Sequence, residues 1–262
     1  MDVHLFATDP SAVALTEALP PADQITALIV PENRIDTEKV RILVKASPWT
    51  CYLHQRGKAL PGDLPPATVG ISWLYSQIIS PSDLRRYSPG ILNMHGGKIP
   101  EYRGASVLIW AIINGEKELG ITWHQMEAEV DSGPIWHETT IPIPADITAS
   151  VMRESMIKAG IATFPEAWSR FRRRSMPPRY PDLAKGRVWP QRRPRDSLIQ
   201  PNLSEFEIRN FVRALCDPWP AAFLQINGEQ IPIARVESRR GEEYVAYRCR
   251  DAAVVYLVPA KS

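Results

Sequence analysis

Short apolar runs at 3–7, 25–30, 50–53, 68–73 and 90–93 recur along the first half of the chain, with helix-like stretches between them. A parallel pair of strands needs a crossover long enough to hold a helix, so this alternation predicts a mostly parallel sheet covered by helices. Helices are expected at 11–18, 37–46, 82–87 and 106–114. In the last of these Val107, Ile109, Trp110 and Ile113 recur at spacings suited to burial on one side. Further strands are expected at 120–127 and 134–141, flanking a turn that carries Asp131. The fold class is therefore α/β: a Rossmann-like, mostly parallel sheet with helices on both faces.

The second half changes character. Residues 149–174 form the longest helical pattern, with Met152, Met156, Ile157, Ile161, Phe164, Ala167, Trp168 and Phe171 as its core side; Pro165 is expected to kink or divide it. Residues 175–197 are rich in proline and arginine and read as an extended crossing segment. A helix at 204–215 follows, with Ser204 as N-cap and Glu207 three residues later completing a capping box. Strands at 223–226, 230–236, 244–248 and 254–257, the first pair joined by an Asn227-Gly228 hairpin signal, predict a small C-terminal β-rich appendage. The expected organisation is a catalytic domain over 1–180, a Pro/Arg-rich crossing segment over 181–202 and a helix-plus-β subdomain over 203–262.

With 262 residues, 44% of them hydrophobic, the chain can bury a large core. No apolar run has the length of a membrane span, and the N-terminus lacks the basic stretch and apolar core of a secretion signal. Three widely spaced cysteines, Cys51, Cys216 and Cys249, point away from a disulfide framework and from a cysteine zinc site, and a cytoplasmic location is expected. A net charge of +2 gives no ground for nucleic-acid binding. The arginine clusters at 170–179 and 187–195 read first as solvated. Thr8-Asp9-Pro10 follows the first strand, so the Gly-x-Gly-x-x-Gly dinucleotide fingerprint is missing.

Asn93 closes the run at 90–93 and His95 lies two residues further on, just past it. In extended chain they project to one side, into the crevice beyond the carboxyl ends of the strands where open α/β sheets bind ligands. Asp131 could pair with the imidazole, fixing its tautomer and stabilising its protonated form. Histidine could then take a proton from an attacking amine and return it to a leaving nitrogen, while the Asn93 amide donates to an oxyanion. Taken singly, each residue reads as well as a turn cap, a satisfied core histidine or an Asx-turn. A metal set of His95, His124, Asp131 and His137 matches no ligand spacing, and no metal is expected.

The order of the surrounding residues resembles a known family. Asn93-Met94-His95 is followed by Pro100-Glu101-Tyr102-Arg103-Gly104, Trp110-Ala111-Ile112-Ile113-Asn114-Gly115-Glu116, Gly120-Ile121-Thr122-Trp123-His124-Gln125-Met126 and Asp131-Ser132-Gly133. This block resembles the catalytic core of the 10-formyltetrahydrofolate-dependent formyltransferases, with Ile121 in place of a valine. The resemblance implies a formyltransferase-type fold, Asn93, His95 and Asp131 as the catalytic triplet, and direct attack of an amine on the formyl carbon of 10-formyltetrahydrofolate. It also implies folate contacts from Trp73, Ser76, Gln77, Ile78, Tyr102, Arg103, Gly104 and Glu127. One departure stands out: Gly96-Gly97-Lys98-Ile99-Pro100 replaces the usual x-Ser-Leu-Leu-Pro after the catalytic histidine.

A second block, Arg192-Arg193 through Ser197 and then 208–223 with Arg213-Ala214 ahead of Pro218-Trp219-Pro220, resembles the nucleotide-sugar N-formyltransferase branch. It implies a nucleotide-linked amino sugar as acceptor, with Lys98, Arg213 and Trp219 as substrate contacts, and a homodimer by family analogy. On their own residues Trp219 reads equally as a core aromatic and Arg213 as a helix C-terminal cation. The alternatives are a methionyl-tRNA formyltransferase and a non-catalytic folate- or nucleotide-binding protein on the same scaffold, and a hydrolase using water in place of the amine also stays open.

Overall fold

The computed structural model describes residues 1–174 and 176–260. In chain order its elements are β1 (Asp2–Ala7), α1 (Ala12–Thr16), β2 (Gln24–Pro31), α2 (Glu38–Ala46), β3 (Cys51–His54), β4 (Val69–Trp73), α3 (Pro81–Leu84) and β5 (Gly90–His95). There follow β6 (Arg103–Gly104), α4 (Val107–Ile113), β7 (Glu118–Gln125), β8 (Ile135–Pro142) and α5 (Ala149–Arg173). The chain ends through β9 (Val188–Trp189), α6 (Glu205–Ala214), β10 (Phe223–Ile226), β11 (Glu229–Glu237), β12 (Val245–Arg248) and β13 (Val254–Pro259). Seven strands make one sheet in the order β3-β2-β1-β4-β5-β7-β8. Pairing is parallel from β3 across to β5, and β7 runs antiparallel to β5. Strand order reverses around β1, the switch point that places ligand crevices outside the carboxyl ends of neighbouring strands. The expected α/β class, a mostly parallel sheet flanked by helices with a C-terminal β sheet, is the observed one.

Two compact units are present. The first comprises Met1–Arg103, Gly120–Thr140 and Ile157–Arg187. One of its buried clusters gathers Phe6, Ala27, Ile29, Leu60, Leu64, Ile79, Tyr87 and Ile91. A second is aromatic and runs along α5: Trp73 stacks on Trp123 at 5.8 Å, Trp123 meets Phe164 at 5.3 Å, and Phe164 stacks on Trp168 at 5.9 Å. This cluster bears on one expectation. Residue Pro165 does not divide α5, which runs unbroken from Ala149 to Arg173. An interior proline costs about 3 kcal/mol, whereas each fully buried Phe contributes about 1.5–3 kcal/mol. With Phe164, Trp168 and Phe171 buried on one side and Pro165 exposed on the other, packing wins.

The second unit comprises Gly104–Leu119, Ile141–Met156 and Val188–Ser262. Its sheet has the order β10-β11-β13-β12. Ile226 pairs with Glu229, leaving Asn227-Gly228 as the two-residue hairpin turn its sequence signals. The capping box of α6 is formed: the Glu207 amide donates to Ser204 Oγ at 3.2 Å and the Ser204 amide donates to Glu207 Oε2 at 2.7 Å. Arg192, read from sequence as one of a solvated cluster, instead lies over the Trp110 ring at 4.7 Å and the Phe211 ring at 5.6 Å. The crossing segment expected from 175 begins on Ser175, which lies outside the described residues. Helix α3 is shorter than its expected 82–87: Pro81 opens it and Ser80 caps it, accepting from the Asp83 amide at 3.1 Å. Among the described residues no helix is long and apolar enough to cross a membrane.

Candidate active site

Strand β5 extends past the expected 90–93 to His95, so Asn93 and His95 are both strand residues. Alternation along β5 sends them to one face, while Met94 between them meets Gly160 of α5 on the other. Across the sheet Asn93 pairs with His124 and His95 with Thr122. The next contributor arrives on the loop between β7 and β8. That loop is pinned at its start by the Met126 amide donating to Ile91 O at 2.8 Å and by the Gln125 amide donating to Pro134 O at 2.9 Å. Gly133 makes the return possible, since a Cβ there would sit 2.0 Å from Gln125 O. Asp131 adopts a left-handed conformation, φ 47°, which an aspartate tolerates better than a branched residue.

These elements bring the three predicted residues together. Asp131 Oδ2 lies 3.4 Å from His95 Nδ1, and the other face of the imidazole donates from Nε2 to Tyr102 O at 2.5 Å. Asp131 Oδ1 lies 3.3 Å from His124 Nε2, to which Asn93 Nδ2 donates at 3.0 Å. The result is a continuous polar line from Asn93 through His124 and Asp131 to His95 and the Tyr102 carbonyl. Both ring nitrogens of His95 face oxygen acceptors. His95 and Asp131 remain 7% and 12% exposed, enough for a ligand to reach them. Sequence reasoning gave His124 no role. Its signal was there in the Gly-Ile-Thr-Trp-His run, but only strand register makes it the neighbour of Asn93.

The other predicted contacts separate. Ser76 and Ile78 are exposed and Gln77 is half-buried, donating to Asn33 Oδ1 at 3.2 Å. This stretch is anchored by Tyr75, whose hydroxyl bonds His54 Nδ1 at 2.7 Å and is pushed well above its ordinary pKa by burial. Trp73 differs from expectation: its indole is fully buried, stacked on Trp123 and bonded through Nε1 to Ser11 Oγ at 2.9 Å, so no ring surface faces a ligand. Arg103 is also turned inward. It donates to Glu129 Oε1 at 2.8 Å and Val130 O at 3.4 Å, bracing the loop two residues before Asp131 rather than reaching outward. Glu127 is exposed, within 3.4 Å of Gln125 Nε2.

Lys98 is exposed and 3.7 Å from Glu101, a surface pair worth at most about 1 kcal/mol. Lys98 edges a cleft of about 660 Å³ with Glu101, Thr122, Arg179, Tyr180 and Lys185. Gly120 lets that floor close up, because a Cβ on it would lie 2.4 Å from the Lys98 amide nitrogen. In the second unit Arg213 donates to Pro144 O, Ile147 O and Asn210 Oδ1 at 3.1, 3.0 and 2.9 Å, and burial lowers its pKa. Its Nε and Nη1 donors are engaged inside the unit, which opposes a grip through them on a substrate diphosphate. Trp219 is half-buried between exposed Pro218 and Pro220, and Gly104 lies against the Trp189 backbone. Among the described residues no group of three His, Cys, Asp or Glu side chains is arranged to hold a metal ion.

Comparison with known proteins bears on the fold and the family. The chain is 31% identical over 159 residues to the methionyl-tRNA formyltransferase of Citrifermentans bemidjiense, covering 61% of this chain and 49% of that one. The chain thus spans about half the length of this curated relative. Among solved structures it is similar to WlaRD, a sugar 3N-formyl transferase crystallised with dTDP and 5-N-formyl-THF, with TM-score 0.75 at 18% identity over 100% of this chain and 98% of that one. It is similar too to an N-formyltransferase from Helicobacter canadensis in complex with folinic acid and dTDP-3-aminofucose, with TM-score 0.73 at 18% identity over 98% and 99%. At that identity the likeness speaks to the fold. The formyl transferase profile matches residues 63–168 and the formyl transferase C-terminal domain profile matches residues 192–253, together more than half of the sequence, and the chain belongs to the formyl transferase family.

Proposed function

We propose that the chain is an N-formyltransferase that moves the formyl group of 10-formyltetrahydrofolate onto the amine of a nucleotide-linked amino sugar, of the kind that decorates bacterial surface polysaccharides. The observation that carries this reading is the approach of Asp131 to His95 at 3.4 Å beside Asn93, within a chain of this family. Ser76, Gln77 and Ile78 would flank the folate. So would the 126–130 loop, where a cleft of about 210 Å³ has Leu84, Ile91 and Met126 in its lining, an apolar floor suited to a planar ring. Full-length likeness to two sugar N-formyltransferases supports the sugar acceptor.

In this reaction the substrate amine attacks the formyl carbon and its carbonyl oxygen becomes an oxyanion. Asn93 donates to that oxygen. In the reacting state His95 keeps its proton on Nδ1 toward Asp131, turns a bare Nε2 from Tyr102 O to the reacting groups, takes there the proton the amine must lose and returns it to the departing folate nitrogen. Asp131 acts through His95, stabilising the imidazolium. General acid–base help of this kind is worth about 10²–10⁴ in rate, and a single oxyanion donor about 10²–10³.

A second reading, formyl transfer to charged initiator tRNA, is favoured by the identity to the Citrifermentans enzyme. Tetrahydrofolate release measured against a panel of amino-sugar nucleotides and against charged tRNA separates the two. Turnover with tRNA alone would replace the sugar reading. Tight folate binding without turnover on any amine would leave a binding protein.

A further inference from the structure

We propose that His124 is a positioning residue that holds the Asn93 side chain with its amide nitrogen turned into the site, leaving one N–H to donate to the developing oxyanion. The inference rests on the formyl-transfer reading for its kinetic consequence, but not for its geometry. His124 Nδ1 lies 3.0 Å from Gln125 O. A backbone carbonyl only accepts, so Nδ1 carries a proton and the neutral ring presents a bare lone pair at Nε2. That lone pair is 3.0 Å from Asn93 Nδ2. Rotating the Asn93 amide by half a turn would set its oxygen against the lone pair, replacing a hydrogen bond by two opposed acceptors.

Water cannot rescue the rotated form, because His124 is 1% exposed. Nor can the strands slide to relieve it, since Asn93 and His124 are register partners on β5 and β7. An asparagine amide carries two N–H bonds. One is held by His124 and the other is free for the substrate oxygen. One neighbour of the ring pulls the other way. Asp131 Oδ1 stands 3.3 Å from Nε2 as a second acceptor, so a doubly protonated ring bonded to Asp131, with the Asn93 amide reversed, is the competing arrangement, and a proton on Nε2 would reveal it. The His95 ring meets His124 edge-on at 6.2 Å and makes no bond to it. The backbone carbonyl that fixes the tautomer therefore fixes, through one ring, which end of Asn93 faces the reaction.

Two measurements test this. In ¹⁵N-labelled native protein, ring nitrogen shifts should place the His124 proton on Nδ1, with one Asn93 side-chain amide proton bonded to Nε2. A proton on Nε2 overturns the proposal, and this experiment needs no turnover, so it is independent of the formyl-transfer reading. In kinetics, His124→Leu removes the acceptor and should lower kcat by ~10–100-fold with both KM values nearly unchanged, because the misplaced donor acts only in the transition state. His124→Gln, whose side-chain oxygen can replace Nε2 as acceptor, should restore most of that loss. Equal losses in the two variants, a wild-type kcat in His124→Leu, or an effect carried by KM would each reject it. Should His124→Leu not fold, the native-protein spectrum and the Gln variant still decide.

Discussion

His95 stands between two oxygens, Asp131 Oδ2 at 3.4 Å and Tyr102 O at 2.5 Å, and the contact with Asp131 can keep the ring in place while Nε2 leaves Tyr102 O to cycle a proton. His95→Ala removes that capacity and should lower kcat by ~10²–10⁴-fold, while folate affinity, followed by fluorescence titration, moves little. Asn93→Ala should cost ~10²–10³-fold in kcat with a similarly small effect on KM. A His95→Ala variant with ordinary turnover would defeat the mechanism. Much at this scale was legible in the sequence: the motif order and the i, i+2 spacing singled out Asn93, His95 and Asp131. What was not legible came from partners brought in by folding. Arg103 was expected to meet the folate and instead meets Glu129, and Trp73 lies inside the core against Trp123. Neither partner is near in sequence, and nothing local distinguishes an inward arginine from an outward one.

At the scale of elements, two devices hold their segments by different physics. The loop to Asp131 depends on the absence of a side chain at Gly133. Gly133→Ala would drive a Cβ to 2.0 Å from Gln125 O, so the loop must shift. The expected outcome is a stability loss of about 1–3 kcal/mol by denaturant titration and a larger relative loss of kcat, since Asp131 moves with the loop. An unchanged kcat would show that the loop absorbs the strain elsewhere. Helix α6 depends instead on its capping box, and Ser204→Ala should cost about 1 kcal/mol. Glu207 adds an acid dependence. Bonds from the Ser204 backbone, with Arg250 at 2.9 Å, hold its carboxyl below the ordinary range. A depressed folded pKa means that its contribution is present above the unfolded value and disappears as pH falls through the folded one. Glu207→Gln, which keeps the box geometry, should therefore lose less stability than wild type on acidification below about pH 4.5. The capping box and the Asn227-Gly228 turn were readable because their chemistry is local; the continuity of α5 through Pro165 was not, because the aromatic packing that outweighs the proline is tertiary.

For the whole molecule the acceptor can be decided by charge. Lys and Arg number 31 against 29 Asp and Glu, and the matched C-terminal segment intersperses Glu205, Glu207, Glu229, Glu237, Glu242 and Glu243 among its arginines. A tRNA acceptor held through several phosphates releases counterions on binding, and with 6–10 such contacts affinity falls by about 10³–10⁵ between 50 and 200 mM salt. A nucleotide diphosphate offers far fewer charges, so its capture should weaken only a few-fold over the same range. The expected result is thus a nearly flat kcat/KM for the amino-sugar nucleotide between 50 and 200 mM salt at saturating folate. A fall of three orders of magnitude would point to a polyanionic acceptor and to the tRNA reading, because a chain so evenly charged could show that slope only if its arginines met many phosphates at once.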